Sequence, residues 1–108
     1  MRTDDYARRK RVEMVQIARL MLAGQYDLIE GCRLVASLGS FIGAEDDSTM
    51  IPFRGFASEM DRFPRGEVRR NYAAGFLEKL DREAEEYVED ARTEILRSCG
   101  DLLTRFGE

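Results

Sequence analysis

Histidine is absent from this chain, and cysteine occurs only twice among its 108 residues. Without histidine the chain cannot build a Ser-His-Asp or Cys-His catalytic arrangement, because both use an imidazole to move a proton. The same absence removes the usual histidine-containing zinc sites. No convergent acid, base and nucleophile can be named either, so we expect a protein that is not an enzyme and needs no cofactor.

Long apolar runs are also missing. No stretch approaches the roughly 18 apolar residues that a membrane-spanning helix needs. The first residues, MRTDDYARRKRVEM, include a basic stretch, but no apolar region follows it directly and no small-residue cleavage site is present. We therefore expect a cytoplasmic protein that does not enter a membrane.

Apolar residues make up 44% of the chain and charged residues 35%, which is typical of a folded globular protein. The length predicts a single helical domain over residues 1–108, large enough for one core without disulfides or a metal. The formal net charge of -4 argues against nucleic acid as the main partner.

The two cysteines, Cys32 and Cys99, each lie within an apolar helical pattern. In a cytosolic chain this placement predicts two buried thiols that are reduced and separate. A disulfide or a reactive thiol is the alternative.

Apolar residues recur every three or four positions along the chain, which predicts an all-α fold. We expect a small bundle of three long helices and one short helix, with the C-terminal helix the longest. The first helix, capped by Asp4 or Asp5, runs to about Ala23 and stops at Gly24. The second lies in YDLIEGCRLVASLGSFI, with Asp27 as its cap.

The third segment is ambiguous, because residues 51–72 suit either a short helix or an ordered loop. A helix over Pro52–Asp61 would place proline at its first position, and PRGEVRRN then forms a basic turn. The last helix, Ala73–Phe106, carries the clearest apolar stripe. At ~1.5 Å per residue it exceeds the length that the other helices cover, so part of it projects or pairs with a second copy.

Two glycines, Gly31 and Gly39, fall inside the second helix. Each costs about 1 kcal/mol relative to alanine in a helix interior. Close packing of a neighbouring helix would offset that cost, and a ligand approaching the bare backbone is the alternative.

The last helix contains the segment EKLDREAEEYVEDARTEIL, in which seven acidic residues between Glu78 and Asp90 face only Lys79 and Arg82. Favourable and unfavourable i,i+4 pairs, each worth about 0.2–0.5 kcal/mol, roughly cancel there. The acids lie on the back and one flank of the helix, so we expect either a solvated face or a surface for a basic protein partner. The residues predicted to bind that partner are Glu78, Glu85, Glu86, Glu89 and Asp90.

Those carboxylates project outward rather than converging, and histidine is absent, so we expect no metal site among them. Leu96 and Leu103 also project away from the apolar stripe. Either a loop or the first helix covers them, or they belong to a homodimer or partner interface.

Arginines form two clusters, Arg8–Arg11 in the first helix and a second group around Pro64. Such clusters are typical of phosphate or nucleic-acid sites, but no interleaved aromatic platform accompanies them. Solvated charge is the simpler interpretation. A nucleic-acid-associated regulator is the alternative function, and it would use Arg8, Arg9, Lys10, Arg11, Arg65, Arg69 and Arg70.

Three stretches, GQYDLIEGCRLV, SEMDRFPRGEVRRNY and LEKLDREAEEYVEDARTEILRSCGDLLTRF, resemble a family of small bacterial helical proteins without an assigned function. The resemblance covers most of the chain after Gly24 and departs from the family at Met60 and Arg62, where smaller or more polar residues are expected. In size and acidity the chain is also similar to immunity proteins, which bind and block a toxin domain.

These observations predict a non-catalytic protein-binding module, an inhibitor or immunity-type protein that presents an acidic helix to a basic partner. Complementary charge would speed its association with that partner. Besides the nucleic-acid regulator, a homodimeric helical structural protein is the remaining alternative.

Overall fold

The computed structural model describes residues 2–107, with side chains from Asp5 onward. Residues 2–107 form four α-helices and a 3-10 helix and contain no strand, which confirms the all-α class. The helices are α1 (Arg2–Leu22, 21 residues), α2 (Leu28–Phe41, 14 residues), α3 (Ile51–Met60, 10 residues), the 3-10 helix (Gly66–Asn71, 6 residues) and α4 (Ala74–Phe106, 33 residues). The ambiguous segment 51–72 is thus α3 followed by the 3-10 helix.

The turn between α1 and α2 follows the expected chemistry. Gly24 has a φ of +73°, a left-handed conformation that glycine adopts without the steric cost of a Cβ. Oδ2 of Asp27 accepts a hydrogen bond of 2.8 Å from the backbone N–H of Glu30 and so caps α2. Both predictions for this turn are confirmed.

The predicted start of α1 was wrong. The helix begins at Arg2, so the backbone of Asp4 and Asp5 already lies within its first turns. Polar residues near a helix start are compatible with the helix interior as well as with a cap, and the sequence pattern did not distinguish the two.

Buried side chains from all four α-helices form one hydrophobic cluster. Met14, Met21 and Ile95 are almost completely enclosed, and Sγ of Cys99 lies 3.8 Å from Sδ of Met21. The apolar stripe of α4 therefore packs on α1, and Ala91 continues it as a half-buried residue. Each fully buried side chain of this size stabilises the fold by about 1.5–3 kcal/mol, so this cluster is the main force holding the helices together.

The two glycines within α2 allow neighbouring methionines to approach its backbone. A Cβ at Gly31 would lie 2.5 Å from Sδ of Met21, and one at Gly39 would overlap the end of Met50. Met21 belongs to α1, and Met50 precedes α3. Close packing by neighbouring elements, the first of the two interpretations, therefore accounts for both glycines.

Helix α4 extends beyond the core that it covers. Its 33 residues span about 50 Å at 1.5 Å per residue, matching the longest dimension of the molecule, 50 Å. Its buried residues all fall between Ile95 and Phe106, and half-buried core contacts continue only as far as Ala84. The first turns of α4 therefore project past the core, as the length of the helix predicted.

None of the helices within residues 2–107 combines the length and the apolarity that crossing a bilayer requires.

Candidate partner-binding groove

The five predicted acidic residues all lie on the exposed side of the first half of α4. Each is solvent-exposed, so the apolar stripe does face inward and the carboxylates face outward, as the helical spacing indicated. The structure divides them into two groups, however. Two of them line a groove beside α2, and the other three lie on the open surface of α4; the members are Glu85 and Glu89 in the groove, and Glu78, Glu86 and Asp90 outside it.

The groove has a volume of about 510 Å³ and lies between α4, the start of α2 and the connection before the 3-10 helix. Its apolar lining consists of Ile29, Ala84 and Val88. Its charged lining consists of four carboxylates and two guanidinium groups, from Asp27, Asp81, Glu85, Glu89, Arg65 and Arg92. We call these nine residues the acidic groove; its formal charge is negative.

Most charges in the acidic groove are paired. Nε of Arg65 donates to Oε1 of Glu30 at 2.8 Å, and Nη2 donates to Oδ2 of Asp27 at 3.1 Å. Nη2 of Arg92 donates to Oε2 of Glu89 at 3.3 Å, one turn away on α4. Both arginines are therefore already neutralised by the protein itself, which leaves the excess of negative charge facing solvent.

Asp81 is held by the strongest of these contacts. Nη1 and Nη2 of Arg69 donate two hydrogen bonds of 2.8 Å to the two carboxylate oxygens of Asp81. The hydrogen bonds from Arg69 are the main cause that lowers the pKa of Asp81, and the charges of Arg69 and Arg65 add to it. Asp81 therefore stays ionised across the physiological pH range.

Glu85 differs from the other acidic residues of the groove. Within the described part of the chain it makes no ion pair and no side-chain hydrogen bond, although it stands between paired Asp81 and Glu89. A carboxylate beside other carboxylates and without a cation is an available acceptor for a basic side chain.

Four charged residues of the groove were missed from the sequence. Asp27 was identified only as a helix cap, and Asp81 was counted in the acidic segment but not among the binding residues. Arg65 and Arg92 were not connected with the acids at all. A signal for Asp81 did exist: it lies four residues before Glu85, on the same face of a helix.

A smaller groove of about 290 Å³ continues from the acidic groove along α4. The two share Asp27, Val88 and Arg92, and the smaller one ends at Leu96 beside the α1–α2 turn. Leu96 is half-buried and packs against the core, so it closes the apolar end of this continuous surface. Leu103 is also half-buried against the core, but it lines neither groove.

The basic clusters do not form one surface. Arg65 and Arg69 are engaged as described, and Arg70 pairs with Glu67 at 3.4 Å. Arg8 and Arg11 line a separate cleft of about 630 Å³ at the other end of α4, where Nε of Arg11 donates to the backbone oxygen of Phe106 at 2.9 Å.

Along α4, Phe106 is about 38 Å from Asp81 at 1.5 Å per residue, so the two basic regions lie far apart. The predicted residues Arg9 and Lys10 adjoin the first region on α1, and Lys10 pairs with Glu13 at 3.4 Å.

The thiols lie away from these surfaces. Cys32 and Cys99 are both free and buried in the core. Burial raises the pKa of Cys99 to about 11, and burial together with the neighbouring Cys99 raises the pKa of Cys32 to about 12. Both side chains are therefore neutral thiols at physiological pH, which makes them poor nucleophiles. Among the side chains of residues 5–107, no three acidic or cysteine groups lie close enough together to hold a metal ion.

No protein-family model matches this chain, and comparisons with curated proteins and with solved structures find no match either. The resemblance to small bacterial helical proteins and to immunity proteins therefore stays a prediction.

Proposed function

We propose that this protein is a non-catalytic protein-binding module, of the inhibitor or immunity type, whose acidic groove receives a basic segment of a partner protein. The observation that carries the proposal is the position of Glu85. Within the described residues it is a carboxylate that pairs with no cation, and it lines the groove together with Asp81, Glu89 and three apolar side chains. The apolar lining of the groove, its internally paired arginines and the exposed acids around it also suit a basic partner.

The chemistry of the groove suits an arginine or lysine side chain. The aliphatic stem of such a side chain would pack against the apolar lining of the groove, which consists of Ile29, Ala84 and Val88. Its charged end would donate hydrogen bonds to Glu85. Because the arginines of the groove are already paired internally, they would repel the incoming cation less than free arginines would.

The three acids outside the groove have a different role in this proposal. Glu78, Glu86 and Asp90 are exposed on the same half of α4 and add a negative field around the groove. Such a field speeds the encounter with a basic partner and selects against acidic proteins, while contributing less to the lifetime of the complex.

The same distribution of charge favours a protein over a nucleic acid as the partner. The arginines that a nucleic-acid regulator would use lie at two distant places, and Arg65, Arg69 and Arg70 each pair with an acidic residue of the chain. We further propose a cytoplasmic location, in keeping with two free thiols. We interpret the architecture as a bundle of the long helices α1, α2 and α4, with α3 as its short helix.

The test is capture of partners from a bacterial lysate at salt concentrations of about 0.1 M and about 1 M, between which the Debye length falls from about 10 Å to about 3 Å. We expect one stoichiometric basic protein at low salt, and its loss when Glu85 and Glu89 are both replaced by Gln. The matched control replaces Glu94 and Asp101, two exposed acids further along α4, by Gln and Asn. Equal capture by both double variants would refute a role for the groove.

A further inference from the structure

The projecting end of the molecule carries a second, apolar surface that the acidic groove does not use. Val68 and Tyr72 in and after the 3-10 helix, and Phe76 in the first turn of α4, are 47%, 38% and 46% exposed. Leu77 and Leu80 are partly exposed, and neither belongs to the hydrophobic cluster of the core. We call these five residues the aromatic end. Large apolar side chains grouped in this way at a surface are typical of contact sites between proteins.

The aromatic end is held in place before any partner binds. The rings of Tyr72 and Phe76 stack with their centroids 5.8 Å apart and an angle of 24° between their planes. The double hydrogen bond from Arg69 to Asp81 fixes the 3-10 helix against α4. The backbone N–H of Tyr72 also donates to the oxygen of Arg69 at 3.1 Å. A surface that is already ordered loses little conformational freedom on association.

The charges around the aromatic end differ from those of the acidic groove. Residues 66–83 contain four acidic and four basic side chains, so this end has no net charge; they are Glu67, Arg69, Arg70, Glu78, Lys79, Asp81, Arg82 and Glu83. Residues 84–94 contain five acidic side chains and only Arg92. A basic partner is therefore attracted to residues 84–94 rather than to the aromatic end.

We propose that the aromatic end binds the aromatic end of a second copy of this chain. An isologous contact brings a surface against itself, so a surface with an excess of one sign of charge would repel its copy. The aromatic end has no such excess, and the strongly acidic region that follows it does. Because α4 projects past the core here, a second copy can approach this end without meeting the core.

Helix geometry adds a specific pairing. With Leu80 at the centre of the apolar stripe, Lys79 and Glu83 lie on the same flank of α4 as Phe76, at 100° per residue. When two copies of α4 cross in opposite directions near Leu80, Lys79 of each copy lies within reach of Glu83 of the other. The contact is thus complementary in charge as well as apolar.

Sedimentation equilibrium from about 1 µM to about 1 mM tests this proposal, a range that covers dissociation constants of weak and moderate dimers. We expect a mass that rises from monomer to dimer for the natural chain, and a monomer throughout for Phe76→Glu. The matched control is Phe41→Glu, which places the same charge at an aromatic residue that is 56% exposed on α2, and should still dimerise. A natural chain that stays monomeric throughout, or a control that loses the dimer as Phe76→Glu does, overturns the proposal.

Charge-reversal variants of Lys79 and Glu83 test the same contact even if Phe76→Glu folds poorly. Lys79→Glu alone and Glu83→Lys alone should each dimerise at least tenfold more weakly, because like charges then face each other across the contact. An equimolar mixture of the two variants should regain the natural affinity as a heterodimer. If the mixture associates no better than the separate variants, the aromatic ends do not meet in this way.

Discussion

Arg69 and Asp81 join the 3-10 helix to α4 through two parallel hydrogen bonds of 2.8 Å. This pair lies between the acidic groove and the aromatic end. Asp81 lines the acidic groove, and Arg69 stands next to the residues of the aromatic end. Since both side chains are partly exposed, the pair contributes more to the position of the 3-10 helix than to overall stability.

The Arg69–Asp81 pair predicts a specific dependence of stability on pH. A carboxyl group whose pKa is lowered on folding stabilises the folded state above its unfolded pKa, which is about 3.9 for aspartate. That contribution is lost as the pH falls through the lower, folded-state pKa. Asp81→Asn should therefore have a lower melting temperature than the natural chain at pH 7, and the difference should shrink as the pH falls below about 4.

Thermal unfolding followed by circular dichroism between pH 7 and pH 2 measures this difference. Glu67→Gln is the control, because Glu67 pairs with Arg70 at an almost fully exposed site. A difference between Asp81→Asn and the natural chain that is the same at every pH would show that the loss comes from packing rather than from ionisation.

Replacing Glu85 and Glu86 together by Gln should separate binding from stability. The unfavourable i,i+4 pairs Glu85–Glu89 and Glu86–Asp90 would disappear, so stability should be unchanged or rise by a few tenths of a kcal/mol. Association with a captured basic partner should become slower at low salt, and the defect should shrink as salt rises. Denaturation midpoints and association rates at two salt concentrations provide both measurements. Unchanged rates at low salt would mean that the acids serve only solubility.

Ile95→Ala should destabilise the protein by about 2–5 kcal/mol, because it removes buried methyl groups and leaves a cavity. Ile95 is 0% exposed and belongs to the hydrophobic cluster of the core. Thr93→Ala, at an exposed position on the same helix, should stay within about 0.5 kcal/mol. Urea denaturation of the two variants makes the comparison. A loss below about half a kcal/mol at Ile95 would mean that this stripe is not the core.

Gly31→Ala and Gly100→Ala should have opposite effects on stability. Both glycines lie inside helices, where alanine gains about 1 kcal/mol of helix propensity. At Gly100 nothing lies within 4 Å of the new Cβ, so this gain should appear in full. At Gly31 three atoms of buried Met21 lie 2.5–2.9 Å from it, and the overpacking cost of about 1–3 kcal/mol should exceed the gain.

The denaturation midpoints of both glycine variants are sufficient for this test. Stabilisation by Gly31→Ala to the same extent as Gly100→Ala would show that Met21 moves aside at no cost, and that close packing does not explain the glycine.

Several features followed from the sequence because their causes are local. The cap at Asp27 depends on a backbone N–H three residues away, and the stop at Gly24 depends on the φ angle of one residue. The division of α4 into a buried stripe and an exposed acidic face follows from 100° of rotation per residue. The same rotation indicated that Glu85 and Glu89 share one side of the helix. A polar residue near a helix start suits either a cap or the helix interior. At Asp4 and Asp5 the sequence pattern did not distinguish the two, and the prediction of the helix start was wrong.

By itself, then, the sequence determined the helical class, the buried stripe of α4, its exposed acids and the lack of a histidine-based site, since each depends on composition or on neighbours within a few residues. Only the tertiary structure decided which of those acids share a groove. Asp27 caps α2 and Asp81 belongs to α4, and Arg65 and Arg69 approach them from the connection between α3 and α4. Long-range packing brings these residues together, because the core contacts of α1, α2 and α4 set the distance between the helices, and no periodicity in one segment encodes that distance.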